Sequence, residues 1–129
     1  MWRDKSVLIV EDDGAVREML ARALGTELGA YAVVAPDGPE ALKWIKRLTP
    51  TIVILDLNLP TIDGFEVARQ VKANPATRNA WIIAITALSP VEQVKVRAIE
   101  AGCDDFLPKP FHVDELVDLV HHRLVQSEA

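Results

Sequence analysis

Short apolar runs divide the chain into segments of similar length. They span residues 7–10, 31–34, 51–55 and 81–85, are rich in β-branched side chains, and are bounded by polar residues, glycine or proline. A weaker fifth run covers residues 106–107 and is ended by prolines. Continuous rather than alternating apolarity is typical of strands that are buried on both faces, as in a parallel sheet. The runs therefore predict five strands of one parallel sheet.

A segment with helical periodicity follows each apolar run. The apolar repeats begin near Val16, Ala41, Phe65, Val91 and Leu116 and recur at intervals of three and four residues, which predicts five helices. Strand and helix alternating five times predict an α/β fold with right-handed crossovers and helices on both faces of the sheet. For such a (βα)5 chain we expect the flavodoxin-like doubly wound fold, with strand order 2-1-3-4-5 in a single domain over residues 1–129.

Composition and charge exclude several classes of protein. The chain is 50% hydrophobic and 26% charged, which is typical of a globular protein rather than a disordered one. Acidic residues outnumber basic ones by 19 to 14, and a net charge of −5 argues against direct binding to nucleic acid. The single cysteine cannot form an internal disulfide. No apolar stretch approaches the roughly 18 residues of a membrane span. We therefore expect a cytoplasmic protein without a membrane partner.

Polar residues follow four of the five predicted strands. Glu11 and Asp12 come after the first run, Asp56 after the third, Thr86 after the fourth and Lys109 after the fifth. In a doubly wound sheet, ligands bind beyond the carboxyl ends of the strands, near the switch point between the first and third strands. Three carboxylates gathered there would repel one another unless a cation lay among them, and Mg²⁺ is the simplest such cation. A nearby ammonium and hydroxyl could bind the oxygens of a phosphoryl group.

Each polar residue taken alone also has a plain structural explanation. Asp13, next to the acidic pair, is expected to cap the first helix, and a threonine that ends a strand can reflect β-propensity alone. Cys103 is expected to pack as a small buried residue. The combination of residues at one sheet edge, rather than any single one, points to chemistry.

Six short motifs occur in order across nearly the whole chain. They cover residues 7–13, 54–60, 63–64, 85–87, 102–106 and 108–111. In this combination and spacing the sequence resembles the receiver domains of response regulators in two-component signalling, the CheY-like superfamily. The resemblance implies a regulatory domain rather than an enzyme, one that catalyses only its own phosphorylation and slow self-dephosphorylation.

The resemblance implies how the acidic residues would act. Asp56 would attack the phosphohistidine of a partner and become an aspartyl-phosphate. Glu11 and Asp12 would organise one Mg²⁺ ion, for which Mn²⁺ could substitute, Asp12 as a direct ligand and Glu11 more often through water. Asp56 and the backbone carbonyl of Asn58 would complete the protein ligands.

The resemblance also implies a switch. Thr86 would move to hydrogen-bond the phosphoryl group, Lys109 would pair with its oxygens, and the Lys109–Pro110 peptide bond would be cis. Phe106 matches the aromatic switch position, although a role as core filler stays open. The surface of the fourth helix, fifth strand and fifth helix would then repack. Leu88, two residues past Thr86, has no group to position water, which predicts slow self-dephosphorylation.

Partners and alternatives complete the hypothesis. The implied phosphoryl donor is a sensor histidine kinase or a histidine phosphotransfer protein, and the output is a downstream protein, an output domain or a phosphorylation-dependent homodimer. One alternative is a receiver-like interaction module that acts without phosphorylation. A haloacid-dehalogenase-type phosphatase is disfavoured because Asn58 stands where that chemistry needs an acid. A flavin or nucleotide site is disfavoured because Glu11, Asp12 and Asp13 would repel phosphate.

Overall fold

Five parallel strands alternate with five helices in the computed structural model, which describes residues 2 and 5–128. The strands are β1 (Ser6–Val10), β2 (Tyr31–Ala35), β3 (Ile52–Asp56), β4 (Trp81–Thr86) and β5 (Asp105–Pro108). The helices are α1 (Gly14–Leu28), α2 (Gly38–Leu48), α3 (Gly64–Ala73), α4 (Val91–Glu100) and α5 (Val113–Ser127). The sheet order is β2-β1-β3-β4-β5, so the predicted doubly wound fold is confirmed. Residues 1, 3, 4 and 129 of the predicted domain lie outside the described residues.

Two apolar clusters cover the two faces of the sheet. Alternate side chains of the central strands point to opposite faces, so Ile54 of β3 packs against α1 and α5 while Val53 and Leu55 pack against α2, α3 and α4. Leu20 of α1 and Val120 of α5 are fully buried in the same cluster as Ile54. Strand β3 lies at the centre of the sheet and is buried along its whole length. This burial fixes the position of the residues that follow β3.

Strand β2 departs from the prediction that the continuous apolar runs are buried on both faces. Its Tyr31 and Val34 side chains are 56% and 40% exposed, whereas Ala35 is buried. The reason is its position: β2 is an edge strand that pairs with β1 on one side only, so the helices cover it incompletely. The apolar run correctly predicts a strand here, but the prediction of two-sided burial was wrong.

Aspartates cap the N-termini of the first three helices, α1, α2 and α3. Asp13 Oδ1 accepts from the backbone N–H groups of Ala15 (2.9 Å) and Val16 (3.2 Å), which confirms its expected role as the cap of α1. Asp37 and Asp63 cap α2 and α3 in the same way. Each such cap stabilises its helix by about 1 kcal/mol. Part of the acidic excess therefore has a structural role in helix capping.

The segment between β3 and α3 is tightly folded. A Cβ atom at Gly64 would collide with the backbone carbonyl oxygen of Asp56, so only glycine lets α3 begin this close to the end of β3. In the same segment Thr61 adopts a left-handed backbone conformation with φ of 68°. Two peptide bonds before proline are cis, Ser89–Pro90 and Lys109–Pro110, and the first of these was not anticipated.

The lengths and compositions of the helices bear on membrane insertion. Within residues 2 and 5–128, no helix has both the length and the apolar character needed to cross a bilayer.

Candidate functional site

The carboxylates of Glu11, Asp12 and Asp56 meet at the carboxyl ends of β1 and β3. One ligand oxygen from each lies within 4.8 Å of those of the other two. Glu11 is 1% exposed and Asp56 4% exposed, while Asp12 faces solvent. The adjacent pairing of β1 with β3 brings these residues together although they are far apart in sequence. The sequence expectation that they share one sheet edge matches this geometry.

Lys109 supplies the counter-charge for the two buried carboxylates. Its Nζ donates to Glu11 Oε1 at 2.7 Å and to Asp56 Oδ2 at 3.0 Å. Burial opposes the charged form of Lys109, but the hydrogen bonds and negative charges of Glu11 and Asp56 outweigh it, so the pKa of Lys109 is raised above its usual value. The lysine therefore stays charged at neutral pH and holds the two carboxylates together.

A cleft of about 280 Å³ opens between the β1–α1, β3–α3, β4–α4 and β5–α5 loops. It is lined by Glu11, Asp12, Asp13, Val16, Asp56, Asn58, Ala87 and Lys109. The backbone N–H of Asn58 donates to Asp56 Oδ1 at 2.9 Å, which orients the carboxylate and keeps the β3–α3 loop beside it. Asn58 itself is exposed at the rim of the cleft. The cleft thus joins the acidic residues to the lysine in a single open space.

The donor set of this cleft fits a hard divalent cation. Carboxylate oxygens are the ligands that Mg²⁺ and Mn²⁺ prefer, and three of them converge here. Three carboxylates and the Lys109 ammonium carry a formal charge of −2, which one divalent ion would neutralise. Glu11, Asp12, Asp56 and Asn58 are therefore the residues that could hold such an ion.

Thr86 ends β4 next to the cleft. Its hydroxyl is buried and accepts from the backbone N–H of Leu88 at 3.0 Å, and its carbonyl accepts from the backbone N–H of Lys109 at 2.7 Å. These bonds tie the β4–α4 loop to the lysine backbone. Thr86 is 1% exposed and does not itself line the cleft, whereas the next residue, Ala87, does.

Phe106 does not line the acidic cleft. It lies on β5, opposite Ala84 of β4, and is half-buried. With Ala98 and Ile99 of α4 it lines a separate surface cleft of about 210 Å³. The aromatic ring therefore lies between the sheet and α4 rather than at the acidic edge.

Cys103 is buried next to this second cleft, as the sequence predicts. Burial and the charge of Asp104, partly offset by Lys72, raise the pKa of the thiol to about 12. A thiol with such a pKa stays protonated at physiological pH, so Cys103 packs as a small apolar residue.

Arg17 contacts the site although the sequence patterns assign it no role. Its Nη1 donates to the backbone carbonyls of Glu11 (2.9 Å) and Asp12 (3.2 Å). An arginine in a predicted helix is usually a solvated surface charge, so the sequence pattern does not identify Arg17 as a site residue. The signal that could have found it is the position of a cation near a helix N-terminus, where the helix dipole disfavours positive charge.

Comparison with known sequences identifies a family. The family described as response regulator receiver domain matches residues 7–121. Response regulator MprA of Mycobacterium sp. (strain KMS) is 42% identical over 112 residues, which cover 86% of this chain and 46% of that protein. The MprA of Mycobacterium leprae (strain TN) is 41% identical over the same length. The chain spans about half the length of these curated relatives.

Comparison with solved structures gives the same family. A putative response regulator from Chloroflexus aurantiacus J-10-fl superposes with a TM-score of 0.86 at 36% identity, over 95% of this chain and 99% of that one. The signal receiver domain of a signal transduction histidine kinase from Syntrophus aciditrophicus superposes with a TM-score of 0.85 at 33% identity, over 95% and 91% of the two chains. The chain belongs to the receiver-domain family of response regulators in two-component signalling.

Proposed function

We propose that this receiver accepts a phosphoryl group on Asp56 from a phosphohistidine, in a reaction that needs Mg²⁺. The observation that carries the proposal is the environment of Asp56. Its carboxylate is buried, yet it opens onto a cleft between an acidic pair and a lysine whose Nζ lies 3.0 Å away. A carboxylate is a weak nucleophile, so it needs a good phosphoryl donor and cations that neutralise the charge in transit.

The residues around Asp56 suggest how each would act. The N–H of Asn58 and the ammonium of Lys109 each donate to one oxygen of Asp56, which orients the carboxylate towards the cleft. A lone pair of Asp56 forms the new O–P bond while the P–N bond breaks and its electrons return to the donor imidazole. Lys109 and the Thr86 hydroxyl then bind phosphoryl oxygens. Held by Glu11, Asp12 and Asp56, Mg²⁺ would supply Lewis-acid stabilisation of the phosphoryl oxygens.

The surface beside the cleft favours a protein as the phosphoryl donor. A shallow apolar depression of about 430 Å³ adjoins Lys109 and is lined by Val16, Met19, Ala87, Pro110 and Phe111. Met19 is 45% exposed although it belongs to the apolar repeat of α1. An apolar rim around a polar reaction site fits a helix that carries a phosphohistidine, and a small phosphodonor would gain nothing from it. The donor that we propose is a sensor histidine kinase or a histidine phosphotransfer protein.

The acceptor residue can be tested with a small phosphodonor. Acetyl phosphate and Mg²⁺ should shift the protein on a phosphate-affinity gel, and Asp56→Asn should abolish the shift. Asp118→Asn is the matched control because Asp118 is exposed on α5, outside the acidic cleft. A shift that persists in Asp56→Asn would refute the assignment of the acceptor. No shift in the wild type would favour an interaction module that acts without phosphorylation.

The donor surface can be tested separately from the chemistry. Met19→Glu should slow transfer from a phosphorylated histidine-containing domain about 10-fold or more, because it places a charge in the apolar rim. Its labelling by acetyl phosphate should stay at the wild-type rate. Thr26→Glu, an exposed position farther along α1, is the control. Equal transfer rates for Met19→Glu and the wild type would exclude this surface as the docking site.

The proposed output is a repacked surface of α4, β5 and α5. Phosphorylation would draw the Thr86 hydroxyl to the new phosphoryl group and leave space for the Phe106 ring to move inward. The apolar side chains of Val91, Val96 and Ile99 are already exposed on α4, and they could meet a downstream protein, an output domain or a second copy. Sedimentation with and without beryllofluoride tests the homodimer: Thr86→Ala should lose any change that the wild type shows. A beryllofluoride response that is unchanged in Thr86→Ala would contradict this coupling.

A further inference from the structure

We propose that Arg17 is a positioning residue that holds the β1–α1 loop in the shape that presents Glu11 and Asp12 to a divalent cation. The inference rests on the proposed metal-dependent function, and it adds a residue to the metal site that does not touch the metal. It predicts that cation affinity depends on a side chain whose own charge opposes cation binding.

The contacts of Arg17 form a clamp across the loop. One guanidinium nitrogen donates to two successive carbonyls, Glu11 O at 2.9 Å and Asp12 O at 3.2 Å. The side chain folds back over Gly14, where a Cβ atom would lie 3.5 Å from its other terminal nitrogen. The backbone N–H of Arg17 donates to Asp13 O at 2.9 Å, which is the ordinary first hydrogen bond of α1 and does not depend on the side chain. The Arg17 side chain therefore contacts the loop at Glu11, Asp12 and Gly14.

Two electrostatic effects act on Arg17 in opposite directions. Positive charge near a helix N-terminus opposes the helix dipole, whereas the neighbouring carboxylates of Glu11, Asp12 and Asp13 attract it. Hydrogen bonds from a charged donor to carbonyl oxygens are about twice as strong as neutral ones, and two of them share this guanidinium. Attraction between charges does not require one particular position, so it is these two hydrogen bonds that fix the guanidinium over the loop.

The two accepting carbonyls belong to the residues whose carboxylates form the acidic pair. Fixing the peptide units of Glu11 and Asp12 fixes the starting point of both side chains. The backbone N–H of Asp13 then donates to Glu11 Oε2 at 3.2 Å, a second contact that needs the same loop shape. Supporting contacts of this kind typically change metal affinity 10- to 100-fold when they are removed.

The direction in which cation affinity changes when Arg17 is replaced distinguishes a residue that positions the loop from one that acts only as a nearby charge. If Arg17 were only a positive charge beside the site, its removal would reduce repulsion and tighten cation binding. If Arg17 positions the loop, its removal weakens cation binding in spite of the lost repulsion. The two explanations therefore predict opposite changes in the same measurement.

The experiment is a Mn²⁺ titration of the full chain followed by electron paramagnetic resonance, which counts free ion without any phosphoryl transfer. Arg17→Gln should weaken Mn²⁺ binding about 10-fold, and Arg17→Lys, which keeps the charge and can reach one carbonyl, should fall between it and the wild type. Arg22→Gln removes the same charge from an exposed position on the same helix and should change affinity less than about twofold. Thermal unfolding of each metal-free protein gives its folded fraction.

The results of the Mn²⁺ titrations distinguish failure of the clamp from failure of the proposed function. Unchanged or tighter Mn²⁺ binding by folded Arg17→Gln would overturn the clamp and leave the proposed function intact. Equal weakening by Arg22→Gln would also overturn it, because the effect would then be general to charge on α1. If Arg17→Gln does not fold, Arg17→Lys decides by the same criterion. A wild type that binds no Mn²⁺ would overturn both the clamp and the metal-dependent function.

Discussion

Replacing Lys109 with methionine should destabilise the metal-free protein strongly. Lys109 Nζ bridges two carboxylates whose side chains are almost fully buried, Glu11 at 2.7 Å and Asp56 at 3.0 Å. Methionine keeps the apolar stem but removes the ammonium, so two negative charges stay close together without their shared cation. The cost should therefore arise from uncompensated buried charge rather than from a packing defect.

The expected size of the effect follows from burial. Removing one partner of a buried ion pair costs about 3–5 kcal/mol. The Lys109 side chain is 26% exposed, so water can approach the carboxylates, and we expect the lower end of that range, about 3 kcal/mol. For a chain of this length this corresponds to a fall in melting temperature of about 10 °C. Adding Asp56→Asn should recover about 1–2 kcal/mol, because only Glu11 then carries an uncompensated charge.

Urea unfolding followed by circular dichroism, with chelator present, measures the deficit. Lys43→Met is the matched control: its side chain is 72% exposed and lies 3.6 Å from Glu40, so its cost should stay below about 0.5 kcal/mol. The deficit of Lys109→Met should shrink when Mg²⁺ is added, because the ion replaces the missing cation. A loss below about 1 kcal/mol in chelator would show that the two buried carboxylates do not depend on Lys109 for charge compensation.

The pH dependence of the deficit has a definite sign. The pKa of Lys109 is raised in the folded protein, burial being outweighed by its two carboxylate partners. A raised lysine pKa means that the stabilisation is fully present below the unfolded value of about 10.4 and is lost only as the pH rises through the higher folded value. The wild-type advantage over Lys109→Met should therefore persist through pH 7–9.

Other residues give further tests. Thr61→Asn should raise the stability by about 0.5–1 kcal/mol, because asparagine tolerates the left-handed backbone (φ 68°) that a β-branched residue adopts with strain; a lower melting temperature would contradict this. Leu88→Asn should speed loss of the phosphoryl group from Asp56, since the amide can position water; an unchanged decay rate on a phosphate-affinity gel would count against it. Cys103, with its pKa raised to about 12 by burial and by Asp104, should resist a disulfide reagent at pH 8 until the protein unfolds; rapid labelling of the native protein would contradict its burial.

The strands and their order follow from the sequence because the signal is physical and local. Residues 51–54 form one continuous β-branched run, and such a run fits the centre of a parallel sheet. The exposure of Tyr31 and Val34 could not be read in the same way, since their run looks as apolar as the others. Whether a strand lies at the edge depends on which neighbours it finds, and that is a property of the whole topology.

The sequence likewise predicts some features of the candidate site and not others. Glu11, Asp56 and Lys109 each follow a predicted strand, and the fold rule that strand ends share one edge suffices to bring them together. The clamp by Arg17 could not be predicted, because it depends on a side chain turning back across a loop rather than outward from its helix. The left-handed conformation of Thr61 was hidden for a related reason: its cause is the tight path between β3 and α3, which no local preference of threonine signals.

The most direct test of Mg²⁺-dependent phosphorylation at Asp56 is to locate the phosphoryl group on the chain. The protein is incubated with Mg²⁺ and a phosphorylated histidine-containing domain, and the modified residue is then mapped by peptide mass spectrometry after borohydride trapping of the acyl phosphate. We expect one phosphoryl group per chain, on Asp56, formed only when Mg²⁺ is present and not chelated. A phosphoryl group on any other residue, or equal labelling of Asp56 in excess chelator, would contradict it.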